Sequence, residues 1–190
     1  MSKKGMIIVG YQGIGKSTLA KDCSGYIDLE SGNFWIDGKR ADDWYIPYCN
    51  IAIHLAQQGY IVFTSSHQIV RDYLSENRPI DVPLVMCCPT VALKNEWIKK
   101  LEDRYTESKL EKDYKAWKNA EDRYTENINE ILNSKASYNI SISAIPYDLD
   151  YIIQASRFIF MDHISGGVTA HISPELHVND YYVMHIKDDK

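Results

Sequence analysis

The sequence predicts an α/β protein built on a parallel sheet, and three features carry that prediction. Short apolar runs alternate with stretches of helical periodicity, which is the pattern of parallel strands joined by helical crossovers. The first run, residues 6–9, ends in a glycine-rich loop that leads into a helix start. The chain has 190 residues, of which 45% are hydrophobic, and no Pro/Gly/Ser-rich linker divides it, so one domain with a large core is expected.

The predicted strands are short apolar or alternating runs that end at glycine, proline or polar residues. They cover residues 6–9, 26–29, 60–64, 83–87 and 139–145. Helices are predicted between them, at residues 46–58, 67–76 and 148–157, with a longer helical region after Pro89. The first run is apolar throughout, which is typical of a strand that is buried on both faces.

A densely charged helical region covers about residues 96–133. Between residues 96 and 130, 18 of the 35 residues are Asp, Glu, Lys or Arg, a mixture typical of solvent-exposed helices. The hexapeptide Glu-Asp-Arg-Tyr-Thr-Glu occurs at residues 102–107 and again at 121–126. On one straight helix this offset would rotate the copies by about 100°, so they would not share a face. Either a helix breaks between the copies or the repeat is accidental.

Residues 158–190 form a C-terminal extension to the core at residues 1–157, and the sequence assigns it no role. Its candidate strands are residues 158–161 and 181–186. The extension holds four of the six histidines, but their spacing matches no metal-ligand pattern, so surface or packing roles are expected for them.

The bulk composition limits the partners and the compartment. A net charge of -5 gives no overall basic field for nucleic acids or membranes, so any phosphate-binding site must be local. The four cysteines form no C-x-x-C pair and are expected to be buried, reduced thiols. The N-terminal apolar run is too short for a signal peptide or a membrane span. We therefore expect a cytoplasmic protein without a membrane partner.

The motif that carries chemistry is the segment at residues 10–17, Gly-Tyr-Gln-Gly-Ile-Gly-Lys-Ser, which matches G-x-x-x-x-G-K-[ST] between a strand and a helix. Glycines let such a loop wrap so that its backbone N–H groups cradle the β- and γ-phosphates of a nucleotide. Lys16 is expected to neutralise charge at the β/γ bridge, and the Ser17 hydroxyl is expected to bind Mg²⁺. The predicted nucleotide-binding residues are Gly10, Gly13, Ile14, Gly15, Lys16, Ser17 and Thr18.

The loop and its short first strand resemble those of P-loop nucleoside and nucleotide kinases. Residues 28–34, 63–71 and 89–97 are similar to landmarks of small kinase-like P-loop proteins from phage and prophage genomes. The resemblance covers about residues 5–157 and departs at Gln12, where those kinases often have proline. It implies a three-layer α/β/α fold, a five-stranded parallel sheet in the order 2-3-1-4-5, a helical lid-like insertion, and the use of ATP and Mg²⁺.

Two acidic residues, Asp28 and Glu30, follow the second strand, at the edge where ligands bind in open α/β sheets. This acid-x-acid pair resembles that of shikimate-kinase-type enzymes. The likeness implies that Asp28 acts in the Mg²⁺ shell or as a base for an acceptor hydroxyl, and that Glu30 holds the acceptor. The third strand has no acid at its end, so a Walker B aspartate is missing and Asp28 is favoured as the metal's carboxylate. An exposed acidic turn is the alternative.

Ser66, His67 and Arg71 follow the third strand, in the region that contacts the acceptor in related kinases. Arg71 comes one helical turn after His67, which allows both to face an incoming phosphate. Alternatively, His67 begins a helix with Ser66 as its capping neighbour, and Arg71 is a surface residue.

Arg104 and Arg123 occupy the charged region, where nucleotide kinases carry a lid. Guanidinium groups suit the spread charge of a transferring phosphoryl group, so at least one of them is expected to close over the phosphates. Ordinary mixed surface charge is the alternative.

The resulting expectation is an ATP- and Mg²⁺-dependent phosphotransferase that acts on a nucleoside monophosphate or a related nucleotide or nucleoside. A polynucleotide 5′-hydroxyl is a less favoured acceptor, because no basic stripe with interleaved aromatic residues is present. The alternative from another class is a P-loop ATP-binding or regulatory module that hydrolyses ATP slowly and acts through a partner. The oligomeric state is left open.

Overall fold

The computed structural model describes residues 5–34, 39–164 and 182–186. Its strands are β1 (Met6–Gly10), β2 (Tyr26–Asp28), β3 (Ile61–Thr64), β4 (Leu84–Pro89), β5 (Tyr138–Ile142) and β6 (Tyr182–Ile186). The first five are parallel and lie in the order β2-β3-β1-β4-β5, which confirms the predicted sheet. β6 pairs antiparallel with β5 and extends the sheet at that edge.

The α-helices of the described residues are α1 (Lys16–Asp22), α2 (Tyr45–Gln57), α3 (Gln68–Asn77), α4 (Lys94–Ser108), α5 (Glu111–Leu132) and α6 (Leu149–Ile164). Short 3-10 turns lie at Ser31–Phe34 and Val91–Leu93. α2 packs against β1 and β3, and α5 packs against β4. None of the helices in the described ranges is both long and apolar enough to cross a membrane.

The extension after residue 157 differs in part from the prediction. The strand predicted at residues 158–161 is wrong, because α6 continues without interruption to Ile164. No glycine or proline separates this apolar run from the preceding helical turns, so nothing in the backbone ends the helix there. The strand predicted at 181–186 is confirmed over its described residues, as β6 (Tyr182–Ile186). The histidines at 171 and 177 lie outside the described residues.

The core is centred on β1, β3 and β4, whose residues are all buried. Such strands carry apolar side chains on both faces, as the continuous run of the first strand predicts. Cys49, Cys87 and Cys88 are buried free thiols, and Cys23 is a half-buried one. Burial raises the pKa of Cys49 and of Cys87 to about 12, so these thiols stay protonated and unreactive.

The charged region folds into a hairpin of two helices, α4 and α5, which we call the α4–α5 hairpin. α4 ends at Ser108, and Lys109 takes a left-handed conformation with φ 55° that turns the chain. Tyr105 stacks on Trp117 across the two helices, with ring centroids 5.8 Å apart. A helix therefore breaks between the two copies of the hexapeptide.

Candidate nucleotide-binding site

A cavity of about 450 Å³ lies at the carboxyl ends of β1, β2 and β3, under the tip of the α4–α5 hairpin. This is the edge of an open parallel sheet at which ligands bind. Its lining residues are Gln12, Gly13, Ile14, Gly15, Lys16, Ser17, Thr18, Asp28, Leu29, Glu30, Ser31, Ser65, Arg104, Leu110, Lys112 and Asp113. Six of the seven predicted nucleotide-binding residues thus line one cavity, together with both predicted acidic residues and one predicted arginine.

The glycine-rich loop, residues 10–17, needs its glycines for two different reasons. Gly13 and Gly15 have φ values of 84° and 98°, in the left-handed region where a side chain is strained. Gly10 is a close-approach position, because a Cβ there would lie 2.5 Å from Ile14 Cδ1 and 2.8 Å from Lys16 Cδ. The loop therefore wraps tightly at the end of β1.

Lys16 folds back over this loop. Its Nζ donates to the Gly10 carbonyl at 2.7 Å and more weakly to the Tyr11 carbonyl at 3.4 Å. Burial lowers the pKa of Lys16, and the nearby carboxylate of Asp28 opposes that shift. A lysine held in this way presents its ammonium group at the mouth of the loop, where it can pair with an anion.

Ser17 and Asp28 come together across the cavity, as predicted. The Ser17 hydroxyl donates to Asp28 Oδ2 at 2.5 Å. Serine hydroxyl and carboxylate oxygens are hard ligands of the kind that Mg²⁺ takes, usually beside waters and substrate phosphates. No group of three or more His, Cys, Asp or Glu side chains converges in the described part of the chain. Because Ser17 and Asp28 supply two such oxygens, they fit a metal that is shared with a phosphate ligand.

The side of the cavity formed by β2 and β3 is built by Glu30, Ser31 and Ser65. Tyr48 of α2 fixes this side, because its hydroxyl donates to the Leu29 carbonyl at 2.7 Å and accepts from the Ser65 N–H at 2.8 Å. These two hydrogen bonds join the chain just after β2 to the chain just after β3. The sequence contains no local signal for Tyr48, since its partners are distant in the chain.

His67 and Arg71 do not line the cavity in the described structure. His67 precedes α3, and its Nδ1 lies 3.0 Å from Ser65 Oγ. Burial lowers the pKa of His67, and the charges of Arg40 and Arg71 lower it further. The imidazole ring is therefore neutral at pH 7.

Arg71 is only 5% exposed. Its Nε donates to Ser134 Oγ at 2.8 Å, another of its N–H groups donates to the Ser66 carbonyl, and Glu130 lies 3.7 Å away. The prediction of a surface or ligand-facing arginine misses this internal role, because Glu130 and Ser134, at and just after the end of α5, are remote from Arg71 in sequence.

Of the two predicted lid arginines, the structure brings Arg104 to the cavity and leaves Arg123 on the surface of α5. Arg104 Nη2 lies 2.8 Å from Asp113 Oδ1, and the Ser108 hydroxyl donates to the other oxygen of this carboxylate at 2.6 Å. Arg123 pairs instead with Glu126 and Glu130 of its own helix. A lid role for Arg123 therefore has no support from this placement.

Sequence analysis missed Lys112, which adds a second cation at the hairpin tip. The sequence contained a weak indication of this position, because a helix break between the hexapeptide copies would place residues near 110 at a turn. The prediction of mixed surface charge hid Lys112, which lines the cavity together with Arg104.

Aromatic side chains support the outer face of the loop. Tyr147 donates its hydroxyl to the Ile14 carbonyl at 3.0 Å, and Trp97 stacks on Tyr147 with centroids 6.0 Å apart. Lys100 lies over both rings and donates to the Tyr147 hydroxyl at 3.0 Å. These contacts tie the glycine-rich loop to α4 and to the segment that precedes α6.

Together, the fold and this site define an α/β protein with a parallel sheet and a glycine-rich loop at the carboxyl edge of that sheet. No protein-family model matches the chain, and no curated protein matches it with significance.

Proposed function

We propose that this chain is an ATP- and Mg²⁺-dependent phosphotransferase of the P-loop kinase kind, with a three-layer α/β/α core. The observation that carries the proposal is the meeting, in one cavity, of Lys16, the Ser17–Asp28 pair and Arg104. These groups come from three separate elements and supply what phosphoryl transfer needs: cations for the phosphates and hard oxygen ligands for the metal.

The loop and Lys16 would bind the β- and γ-phosphates, while Ser17 and Asp28 would hold the metal. Magnesium, when bound, neutralises charge on the phosphate oxygens. Arg104 and Lys112 lie on the opposite side, where a guanidinium group can stabilise charge on the equatorial oxygens. In the transfer, the bond from the γ-phosphorus to the β/γ bridging oxygen breaks and a bond to an acceptor oxygen forms.

The acceptor would enter beside Glu30, Ser31 and Ser65, and we propose a nucleotide or nucleoside in this place. With a hydroxyl acceptor, the proton passes to a carboxylate, and Glu30 is the exposed one on this side. A monophosphate acceptor needs no such base. Arg71 is buried and bonded within the protein, so α3 supplies no arginine to bind the phosphate of a monophosphate acceptor. Nucleosides and nucleoside monophosphates must therefore both be tested as acceptors.

A second candidate, a regulatory module that binds ATP and hydrolyses it slowly, rests on the end of β3. Thr64 ends that strand and is followed by Ser65, so the cavity receives a hydroxyl where a Walker B carboxylate would act. Asp28 is then the one carboxylate that β2 and β3 supply to the metal.

The test is a transfer assay with γ-labelled ATP and Mg²⁺ against nucleosides, nucleoside monophosphates and 5′-hydroxyl oligonucleotides. The variant is Lys16→Ala, and Lys21→Ala, an exposed lysine in the last turn of α1, is the matched control. We expect label in one acceptor class, a fall of about 100-fold or more in Lys16→Ala, and wild-type rates in Lys21→Ala. Binding of ATP without transfer would favour the regulatory module, and no binding of ATP would overturn both candidates.

A further inference from the structure

Gln12, at which the loop departs from its kinase-like pattern, joins the glycine-rich loop to both arms of the α4–α5 hairpin. Its backbone carbonyl accepts from Trp97 Nε1 of α4 at 3.0 Å. Its side-chain Nε2 donates to the Ala116 carbonyl of α5 at 2.7 Å. The bond to Ala116 spans 104 positions of sequence, so it is a tertiary contact that no local pattern predicts.

The two bonds differ in what they need from residue 12. Any residue has a carbonyl for Trp97, which is fully buried in the core. Only a side chain with a donor of the right reach can bond Ala116. Because Ala116 lies inside α5, its carbonyl also serves the helix, and its second lone pair can take the Gln12 donor. The side chain of Gln12 is therefore the part that ties α5 to the loop.

The contact fixes the face of α5 that carries the cavity residues. Lys112 precedes Ala116 by four positions and Asp113 precedes it by three, so all three lie on one side of the helix. Asp113 in turn holds Arg104 at 2.8 Å. Holding Ala116 against the loop thus sets where both cations of the hairpin tip stand relative to the phosphate cradle.

We propose that Gln12 is a positioning residue that holds the α4–α5 hairpin over the glycine-rich loop, so that Arg104 and Lys112 reach the phosphates of the bound nucleotide. The inference rests on the proposed function, since it needs a nucleotide in the cavity. Gln12 acts through the hairpin: its Nε2 donates to the Ala116 carbonyl and more weakly to the Tyr11 hydroxyl at 3.5 Å.

The test replaces Gln12 with methionine, which has similar volume and no N–H donor. Gln58→Met is the matched control, because Gln58 also bonds through its amide but lies before β3, at the opposite edge of the sheet. Hydrogen exchange of residues 109–120 is measured with and without ATP and Mg²⁺, and turnover and ATP affinity are measured on the same proteins.

In Gln12→Met we expect faster exchange in residues 109–120 and less protection there on ATP binding. Turnover should fall by about fivefold to tenfold, the worth of one hydrogen bond, with ATP affinity changed less than about twofold. A general loss of folding would instead raise exchange along the whole chain and weaken ATP binding. Gln58→Met should match the wild type in every measurement.

Three outcomes overturn the inference. Hairpin exchange and protection equal to the wild type would show that Gln12 does not hold α5. A loss of ATP affinity as large as the loss of turnover would make Gln12 part of the loop's own structure. A wild-type protein that binds no ATP would overturn the proposed function itself, and the positioning role would fail with it. With ATP bound by the wild type, either of the first two results rejects the inference alone.

Discussion

The two copies of Glu-Asp-Arg-Tyr-Thr-Glu have the same six residues and different surroundings. In the first copy, residues 102–107, the arginine lines the candidate nucleotide site and the tyrosine packs between the helices of the hairpin. In the second, residues 121–126, the arginine pairs with its own helix and the tyrosine is fully buried. Identical local sequence therefore leaves the direction of each side chain to the fold around it.

The difference comes from where each copy stands on its helix. The first copy lies in the last turns of α4, next to the break at Lys109, so its arginine is near the hairpin tip and the carboxylate of Asp113. The second lies inside α5, where Arg123 has the non-helical values φ -131° and ψ 21°. At this kink Tyr124 is buried in the core, whereas Arg123 is exposed and pairs with Glu126 of its own helix.

The largest expected contrast concerns the two tyrosines and is measured as the free energy of unfolding. Tyr124 packs edge-on against Tyr11 and donates to the Thr90 carbonyl at 2.9 Å, whereas Tyr105 is half-buried between aromatic neighbours. We expect Tyr124→Ala to cost about 3–5 kcal/mol and Tyr105→Ala about 1–2 kcal/mol. Denaturant unfolding of both variants checks this. Equal losses would mean that the copies are equivalent in packing.

The next contrast concerns the two arginines and is measured as phosphoryl transfer to the best acceptor. Arg104→Ala should lower turnover by about 100-fold, because a cation aimed at the transferring group is lost. Arg123→Ala should stay within about twofold of the wild type, since exposed pairs on one helix contribute little. Arg104→Lys keeps the charge without the planar fork and should recover only part of the rate. Unchanged turnover in Arg104→Ala would remove the hairpin from the mechanism.

The same comparison shows what the sequence could and could not predict. The loop follows from residue types at fixed spacing beside a buried strand, whereas the pairing of Ser17 with Asp28 was implied by a resemblance; both residues line one cavity. The choice between Arg104 and Arg123 did not follow, because a repeat carries no sign of which copy meets the cavity. Tyr48 and Gln12 were beyond prediction, since each acts through a hydrogen bond to a residue that is remote in sequence.

The smallest expected contrast concerns one lysine, four residues before the arginine of the first copy. Lys100 lies over Trp97 and Tyr147, and burial, with the charge of Arg104, lowers its pKa to about 8. The matching position before the second copy is Asn119, which cannot titrate. The pH dependence of stability that Lys100 contributes therefore has no counterpart at Asn119.

The sign of this pH dependence follows from where the proton resides. Below about pH 8 Lys100 is charged in both the folded and the unfolded chain, so the cost of burying the charge is fully present. Between about pH 8 and pH 10.4 the folded chain has released the proton and the unfolded chain still holds it, so stability rises with pH. Partial exposure limits the gain to about 1 kcal/mol.

The measurement compares the wild type with Lys100→Met, which keeps the aliphatic contact with the rings and cannot titrate. Burial raises the pKa of Tyr147, so this neighbour stays neutral across the interval and affects both proteins alike. The difference between their free energies of unfolding should grow in favour of the wild type from about pH 8 to pH 10. A flat difference would place the Lys100 ammonium in solvent and would remove this contrast between the two copies.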